Sequence, residues 1–336
     1  MIRQSVMHNA HRTMKRRDLI AMLGGAAMAW CGATRAAAVI PHVAFLAVGF
    51  GADTTAFDAI RDALRSLGDV EGQTFVPEAH TSDNAALIPQ MAAQIVAANP
   101  AVIVTINALG VPDLLKLTQT IPIVVAFAGD PVALGFSKSV GRPTGNVTGM
   151  LTLEDVLLGK RIELLGQLVG PLKRVGLIYD TGNRSHDLIL SAAKSRANAT
   201  GLEIVPLGVS SRSDIATLLD RNEARELDGL IVAGSPMIVS HRATLIAAAI
   251  ARRLATVHDF SFEVEDGALA SYGPEPAEYF QRAAEYTDRL LHGAKIADLP
   301  FESPRTFRLS LNQHTARRLG LNIPPTLLAR ADEVIE

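Results

Sequence analysis

Short polar and acidic residues follow one apolar run after another along this 336-residue chain. The run ending at Val48 leads into Gly49-Phe50-Gly51, and that ending at Ile106 into Asn107-Ala108-Leu109-Gly110. Phe127 is followed by Ala128-Gly129-Asp130-Pro131, and Tyr179 by Asp180-Thr181-Gly182-Asn183. Ala233 leads into Gly234-Ser235-Pro236, and His258 into Asp259-Phe260. Free amides beside glycine can hold an anion, a carboxylate can hold an ammonium group, and a ring such as Phe50 can stack on a flat ligand. Asp130 suits the ammonium role, and followed by proline it suits a helix cap equally well.

Residues for turning over a substrate are sparse. Beyond residue 38 there are seven histidines, with no HxxxH or HExxH spacing and no cysteine, so neither a metal nor a cofactor is expected. Neither a G-x-S-x-G elbow nor a G-x-x-x-x-G-K-[ST] loop is present. His258 beside Asp259 has the form of a general base, but a hydrogen-bonded structural histidine fits it better. Gly49-Phe50-Gly51 begins a dinucleotide fingerprint that Thr54 interrupts at the third glycine.

The elements that must position these residues alternate between two periods. Val43–Val48, Phe75–Ala79, Ala101–Ile106 and Ile123–Phe127 read as strands buried on both faces, separated by helical patterns. Phe57, Ile60, Leu64 and Leu67 share one helix face, and Gly68 stops that helix. The order then repeats: Val175–Tyr179, Leu230–Ala233 and Ala255–His258 follow their counterparts at offsets near 130 residues, which favours two copies of one doubly wound α/β lobe. A helix over 154–169 bridges the copies. A strand at 268–272, a helix at 276–292, a strand at 307–311 and a last helix from Gln313 exceed what the second copy needs, so the chain is expected to cross between lobes more than once. In open parallel sheets ligands bind beyond the carboxyl ends of the strands, where the polar residues above fall.

Residues 1–38 read as a removable export signal. Lys15-Arg16-Arg17 precede an apolar run from Leu19 to Trp30, too short to span a bilayer, and Ala36-Ala37-Ala38 offers a cleavage site. Arg16-Arg17 followed by Asp18-Leu19 resembles a twin-arginine signal, which implies a periplasmic protein. The segment carries six basic residues and one acidic, so losing it takes the formal charge from −2 to −7, unsuited to nucleic acid. It also carries the only cysteine, Cys31, and the only tryptophan, Trp30.

Several stretches together resemble the ABC-transporter substrate-binding proteins of the tryptophan/tyrosine-binding type. These are Gly129-Asp130-Pro131-Val132-Ala133-Leu134-Gly135, Gly145-Asn146-Val147-Thr148-Gly149, Ser271-Tyr272-Gly273, Leu319-Gly320-Leu321 with Ile323-Pro324-Pro325, and the closing Leu327–Glu336. The resemblance covers the chain beyond residue 38. It implies an α/β fold of the periplasmic-binding-protein type I: two doubly wound parallel-sheet lobes, a multi-strand hinge, and a ligand in the cleft. Residues 39–151 plus 268–297 would form lobe 1, and 152–267 plus 298–336 lobe 2. It further implies a non-enzymatic monomer that carries a small molecule, an amino acid being a natural candidate, to an ABC permease. Ligand contacts would fall on Phe50, Asn107, Ala108, Asp130, Asp180, Asn183, Ser235 and Asp259. At Thr181-Gly182-Asn183 the sequence departs from the Asn-Pro-rich turn common in the family. The alternatives are an exported enzyme such as a hydrolase on the same scaffold, or a periplasmic sensor subunit.

Overall fold

The computed structural model describes residues 40–49 and 54–336. Residues 1–38, expected to be an export signal, and Phe50 lie outside the described residues. Two sheets organise the remainder. The first has the order β2-β1-β3-β4-β5, formed by β1 (His42–Val48), β2 (Val76–Ser82), β3 (Val102–Asn107), β4 (Ile123–Phe127) and β5 (Val147–Gly149), all parallel. The second contains β6 (Arg174–Asp180), β7 (Glu203–Val209), β8 (Gly229–Val232), β9 (Thr256–His258) and β10 (Ala270–Pro274), extended by β11 (Phe307–Asn312) and β12 (Glu333–Ile335). From its far edge it runs β7-β6-β8-β9-β10, the same winding as the first sheet, then adds β11 antiparallel and β12 parallel to β11. The repeat seen in the sequence is thus a repeat of topology.

Both faces of each sheet are covered, which is why the strands are apolar throughout. On one face of the first sheet Val43, Phe45, Val104 and Val124 pack with Phe57, Ile60 and Leu64 of α1 (Thr55–Leu67). On the other, Ala44, Leu46 and Ile103 pack with Met91 and Ile95 of α2 (Ile88–Ala97) and Leu114 of α3 (Val111–Leu117).

The copies then exchange a helix. After β5 the chain leaves the first lobe, and α4 (Glu154–Val169) lays Leu158, Ile162, Leu165 and Leu168 against Leu177, Ile231 and Val257 of the second sheet. After β10 it returns. A long helix at Pro276–Leu291 places Ala283, Ala284 and Tyr286 in the first lobe's core, followed there by Leu299 and Phe301. The helices between α4 and that one are α5 (Arg184–Thr200), α6 (Arg212–Thr217), α7 (Pro236–Ser240), α8 (Arg242–Ala251) and α9 (Ser261–Glu265), so the returning helix is α10; α11 (Gln313–Leu319) and α12 (Pro325–Leu328) close the chain.

The expected lobe boundaries therefore shift. Residues 270–274 belong to the second sheet, not the first lobe, because β10 pairs with β9 and β11. Residues 298–302 belong to the first lobe, not the second: Leu299 and Phe301 are buried there, and Glu302 bridges Met150. The chain crosses at 151–153, at Glu275 and at 303–306. Leu151 N–H donates to the Glu302 carbonyl at 2.8 Å, and the Glu278 carboxylate accepts from the Arg305 and Thr306 amides at 2.7 and 3.2 Å, which ties the crossings together. Leu153, at the start of α4, has φ 54°, a left-handed conformation that a leucine adopts only under constraint. Among the described residues no helix is long and apolar enough to cross a membrane.

Candidate functional site

The carboxyl ends of both sheets meet at a cavity of about 870 Å³ counting its open mouth. Lobe 1 contributes Ile106, Asn107, Ala108, Leu109, Phe127 and Gly129, with Pro276 and Phe280 from α10; lobe 2 contributes Asn183, Ser185, His186, Gly234, Ser235, Asp259, Phe260 and Phe262. Thr152 and Glu154 line it from the first crossing. The lobes approach closely: a Cβ on Gly49 would meet Pro236 Cβ at 2.5 Å, and one on Gly129 would meet Ser185 Oγ at 3.0 Å. Both glycines have positive φ, so a side chain is excluded by conformation as well as by space.

The lining carries two kinds of chemistry. One is aromatic, with rings from both lobes. Phe127 at the end of β4 stacks on Tyr279 with centroids 4.2 Å apart, meets Phe280 edge-on at 5.8 Å, and reaches across to Phe260 at 6.2 Å. Burial raises the Tyr279 hydroxyl far above its ordinary range, so it stays protonated. Phe260 in turn stacks on Phe262, over which the Arg242 guanidinium sits.

Beside the rings lies an ionic cluster. Arg161, on the apolar face of α4, is 2% exposed; its Nη1 lies 2.8 Å from Glu154 Oε2 and 2.6 Å from Asp259 Oδ1. Its Nε donates to the Tyr272 carbonyl at 2.8 Å. Asp259 Oδ2 accepts from the Gly234 amide at 2.7 Å. Burial opposes the charge on Arg161, but Asp259 and Glu154 outweigh it and hold the guanidinium protonated. Burial pushes Asp259 well above the usual carboxylate range, against Arg161 and with the help of Glu154 and Glu263. Glu154 and Asp259 thus share one cation and both face the cavity. His186 is buried and neutral: its Nδ1 accepts from the Asp180 amide at 2.8 Å, which leaves Nε2–H to donate to the Gly234 carbonyl at 3.2 Å. Burial lowers its pKa, with Glu154 and Asp180 opposing.

Of the residues anticipated from the sequence, Asn107, Ala108, Asn183, Ser235 and Asp259 line this cavity together. Three of their side chains also work locally: Asn107, Asn183 and Ser235 each accept a backbone N–H at the start of a helical turn. Asp130 does not join them. It is exposed, its Oδ1 accepts from the Val132 and Ala133 amides at 2.9 and 3.1 Å, and it borders a separate hollow beside α5. Asp180 is also outside the cavity, its Oδ1 bonded to the Gly182 amide. Phe136 is buried in the first lobe's core and Tyr272 stacks on Phe307, so neither ring reaches the site. His258 is structural, with Nδ1 2.9 Å from Glu263 Oε1 in the interior. Glu154, Arg161 and His186 were not anticipated. Arg161 carried a signal: a charged residue among Leu157, Leu158, Ile162 and Leu165, seven positions after Glu154 on one helix face, requires a buried partner.

The profile of the ABC transporter substrate binding protein family matches residues 47–335. The chain belongs to that family. Its members bind a substrate rather than transform one. A tyrosine-binding protein from Clostridioides difficile strain R20291 is 26% identical over 204 residues, which are 61% of this chain and 58% of that protein. Among solved structures, a conserved domain protein from Vibrio cholerae O1 biovar El Tor is 26% identical, with a TM-score of 0.80 over 88% of this chain and 99% of that one. A Streptococcus pneumoniae ABC domain in complex with L-Trp is 22% identical with a TM-score of 0.78, over the same shares of the two chains, and establishes likeness of fold.

Proposed function

We propose that this substrate-binding protein captures an aromatic amino acid in the cleft and delivers it to an ABC importer from the periplasm. One observation carries the ligand class: the cavity gathers the rings of Phe127, Phe280 and Phe260 beside two carboxylates, Glu154 and Asp259, that share a single guanidinium. A ligand with a ring at one end and an ammonium group at the other meets both. Glu154 takes the ammonium role that the sequence suggested for Asp130, and the Asn183, Ser185 and Ser235 side chains stand nearby for the ligand's carboxylate. The tyrosine-binding relative supports the same class. Closure follows because such a ligand touches both lobes and favours the state in which both touch it.

The test uses thermal unfolding with free tyrosine, tryptophan, phenylalanine, leucine and a neutral sugar. An aromatic amino acid at 100 times its dissociation constant is expected to stabilise by about 2.7 kcal/mol. Stabilisation by leucine or sugar alone would overturn the ligand class. In a form lacking residues 1–38, and so without tryptophan, blue-shifted emission would report bound L-tryptophan against a dark background.

A further inference from the structure

On the first lobe, outside the ligand cavity, two helices end against each other. α1 stops at Gly68 and is followed by Asp69; α10 brings Asp288 in its last turn and is capped by His292. One ligating atom from each of these three side chains lies within 4.8 Å of the others. Asp69 is 3% exposed and its Oδ2, shielded from solvent, has no hydrogen-bond partner. His292 Nδ1 lies 3.2 Å from Asp288 Oδ1 and 2.8 Å from the Asp288 carbonyl.

This arrangement is costly without a cation. Two carboxylates, one fully buried, face each other where two helix C-termini direct partial negative charge to the same place. An exposed imidazole is the only basic group in the trio, and it is a weak counterion for a buried carboxylate.

We propose that Asp69, Asp288 and His292 form a binding site for a divalent transition metal, zinc fitting the donor set best. Two carboxylate oxygens and one imidazole nitrogen suit zinc, which accepts three protein ligands and a water. With metal–ligand distances near 2.0–2.2 Å the donors must draw together by about 1 Å, and the exposed His292 side chain is free to supply that movement. The metal would pin the end of α10 to the end of α1. Because α10 carries Tyr279 and Phe280 at its other end, the pin would fix a helix that contributes to the aromatic lining.

Titration of the purified, untagged protein with zinc chloride, followed by calorimetry and thermal unfolding, tests this. One zinc per chain and a raised Tm are expected, with calcium having no effect since it prefers all-oxygen sites. His292→Ala, on the surface, should weaken zinc binding at least about tenfold while leaving the zinc-free Tm unchanged. Asp69→Asn should raise the zinc-free Tm, by removing the carboxylate repulsion, and abolish the zinc response. Failure to take up zinc saturably, uptake indifferent to His292→Ala, or equal binding of calcium would each overturn the proposal. Since none of these readouts involves an amino acid, they stand or fall independently of the ligand assigned to the cleft.

Discussion

The two lobes wind identically, yet they finish their fourth strands in opposite ways. In lobe 1, β4 ends at Phe127 and passes through Gly129 into an exposed turn, where Asp130 bonds the amides of its own loop. In lobe 2, β9 ends at His258 and passes directly into Asp259, 2% exposed, with Glu263 reaching back to His258 and to the Phe260 amide. The first acidic residue after the fourth strand thus faces water in one copy and the interior in the other. Lobe 2 has a cation there because α4, arriving from lobe 1, brings Arg161 beneath the strand end. A shared winding determines where the strands stop, and the helix that covers each stop decides whether charge can be buried there.

Breaking the ionic cluster should have the largest effect. Arg161→Met leaves Asp259 buried and unpaired and is expected to cost about 3–5 kcal/mol, read as a lowered urea midpoint at constant slope. An unchanged midpoint would mean that the ion pair stabilises no more than an apolar contact of the same size.

Glu154→Gln keeps the shape and removes one charge from the cavity. Affinity for an aromatic amino acid should weaken by about 1.5–3 kcal/mol, the worth of a hydrogen bond to a charged group, measured by calorimetry against the parent. Phe127→Leu probes the rings: a smaller loss of about 0.5–1.5 kcal/mol is expected for tyrosine or tryptophan, and none for an aliphatic analogue. Equal losses for both analogues would remove the ring from the recognition scheme.

The neutral imidazole offers a pH test. His186 has a folded pKa below its ordinary value of 6.5, so the unfolded chain takes up the proton first. Its contribution to stability is complete above about pH 6.5 and is lost as the pH falls through the window below it. His186→Gln should therefore flatten the decline in Tm between neutral and mildly acidic pH; a parallel decline would assign that limb to other groups. The smallest effect is reserved for Asp130→Asn, since asparagine caps the same turn. Both Tm and affinity should stay at parent values, and a weakened amino-acid complex would bring Asp130 back into the site.

Much of this was legible beforehand because apolar runs mark strands wherever both faces are covered. Val43–Val48 and Ile123–Phe127 are observed strands, and the helix over 154–169 is observed at Glu154–Val169. Val147–Gly149 and Glu333–Ile335 were not foreseen, because three residues have no period to detect and owe their strand form to a neighbour's edge. Strand ends pointed to Asn107, Asn183, Ser235 and Asp259, which the fold brings to one cavity. What sequence position could not convey was direction: Asp130 and Asp180 also follow strands, but each satisfies its own loop and turns from the cavity. The crossings at 275 and 303 were expected but placed at 268 and 298 for a related reason, since a strand's sheet is set by its partners and not by its composition.

The reciprocal helix exchange sets an order of folding. Val43, Phe45 and Val104 have no complete cover until Ala283, Ala284 and Tyr286 have been made. Ribosomes add roughly 5–20 residues per second, so the half-covered first sheet waits on the order of 10–30 s behind its own last strand. Meanwhile α4 is already committed to the second sheet. Lobe 1 therefore stays incomplete until α10 arrives, and lobe 2 until Leu319 and Leu327 join its core; nascent chains halted before residue 276 hold an apolar sheet face that a chaperone would recognise.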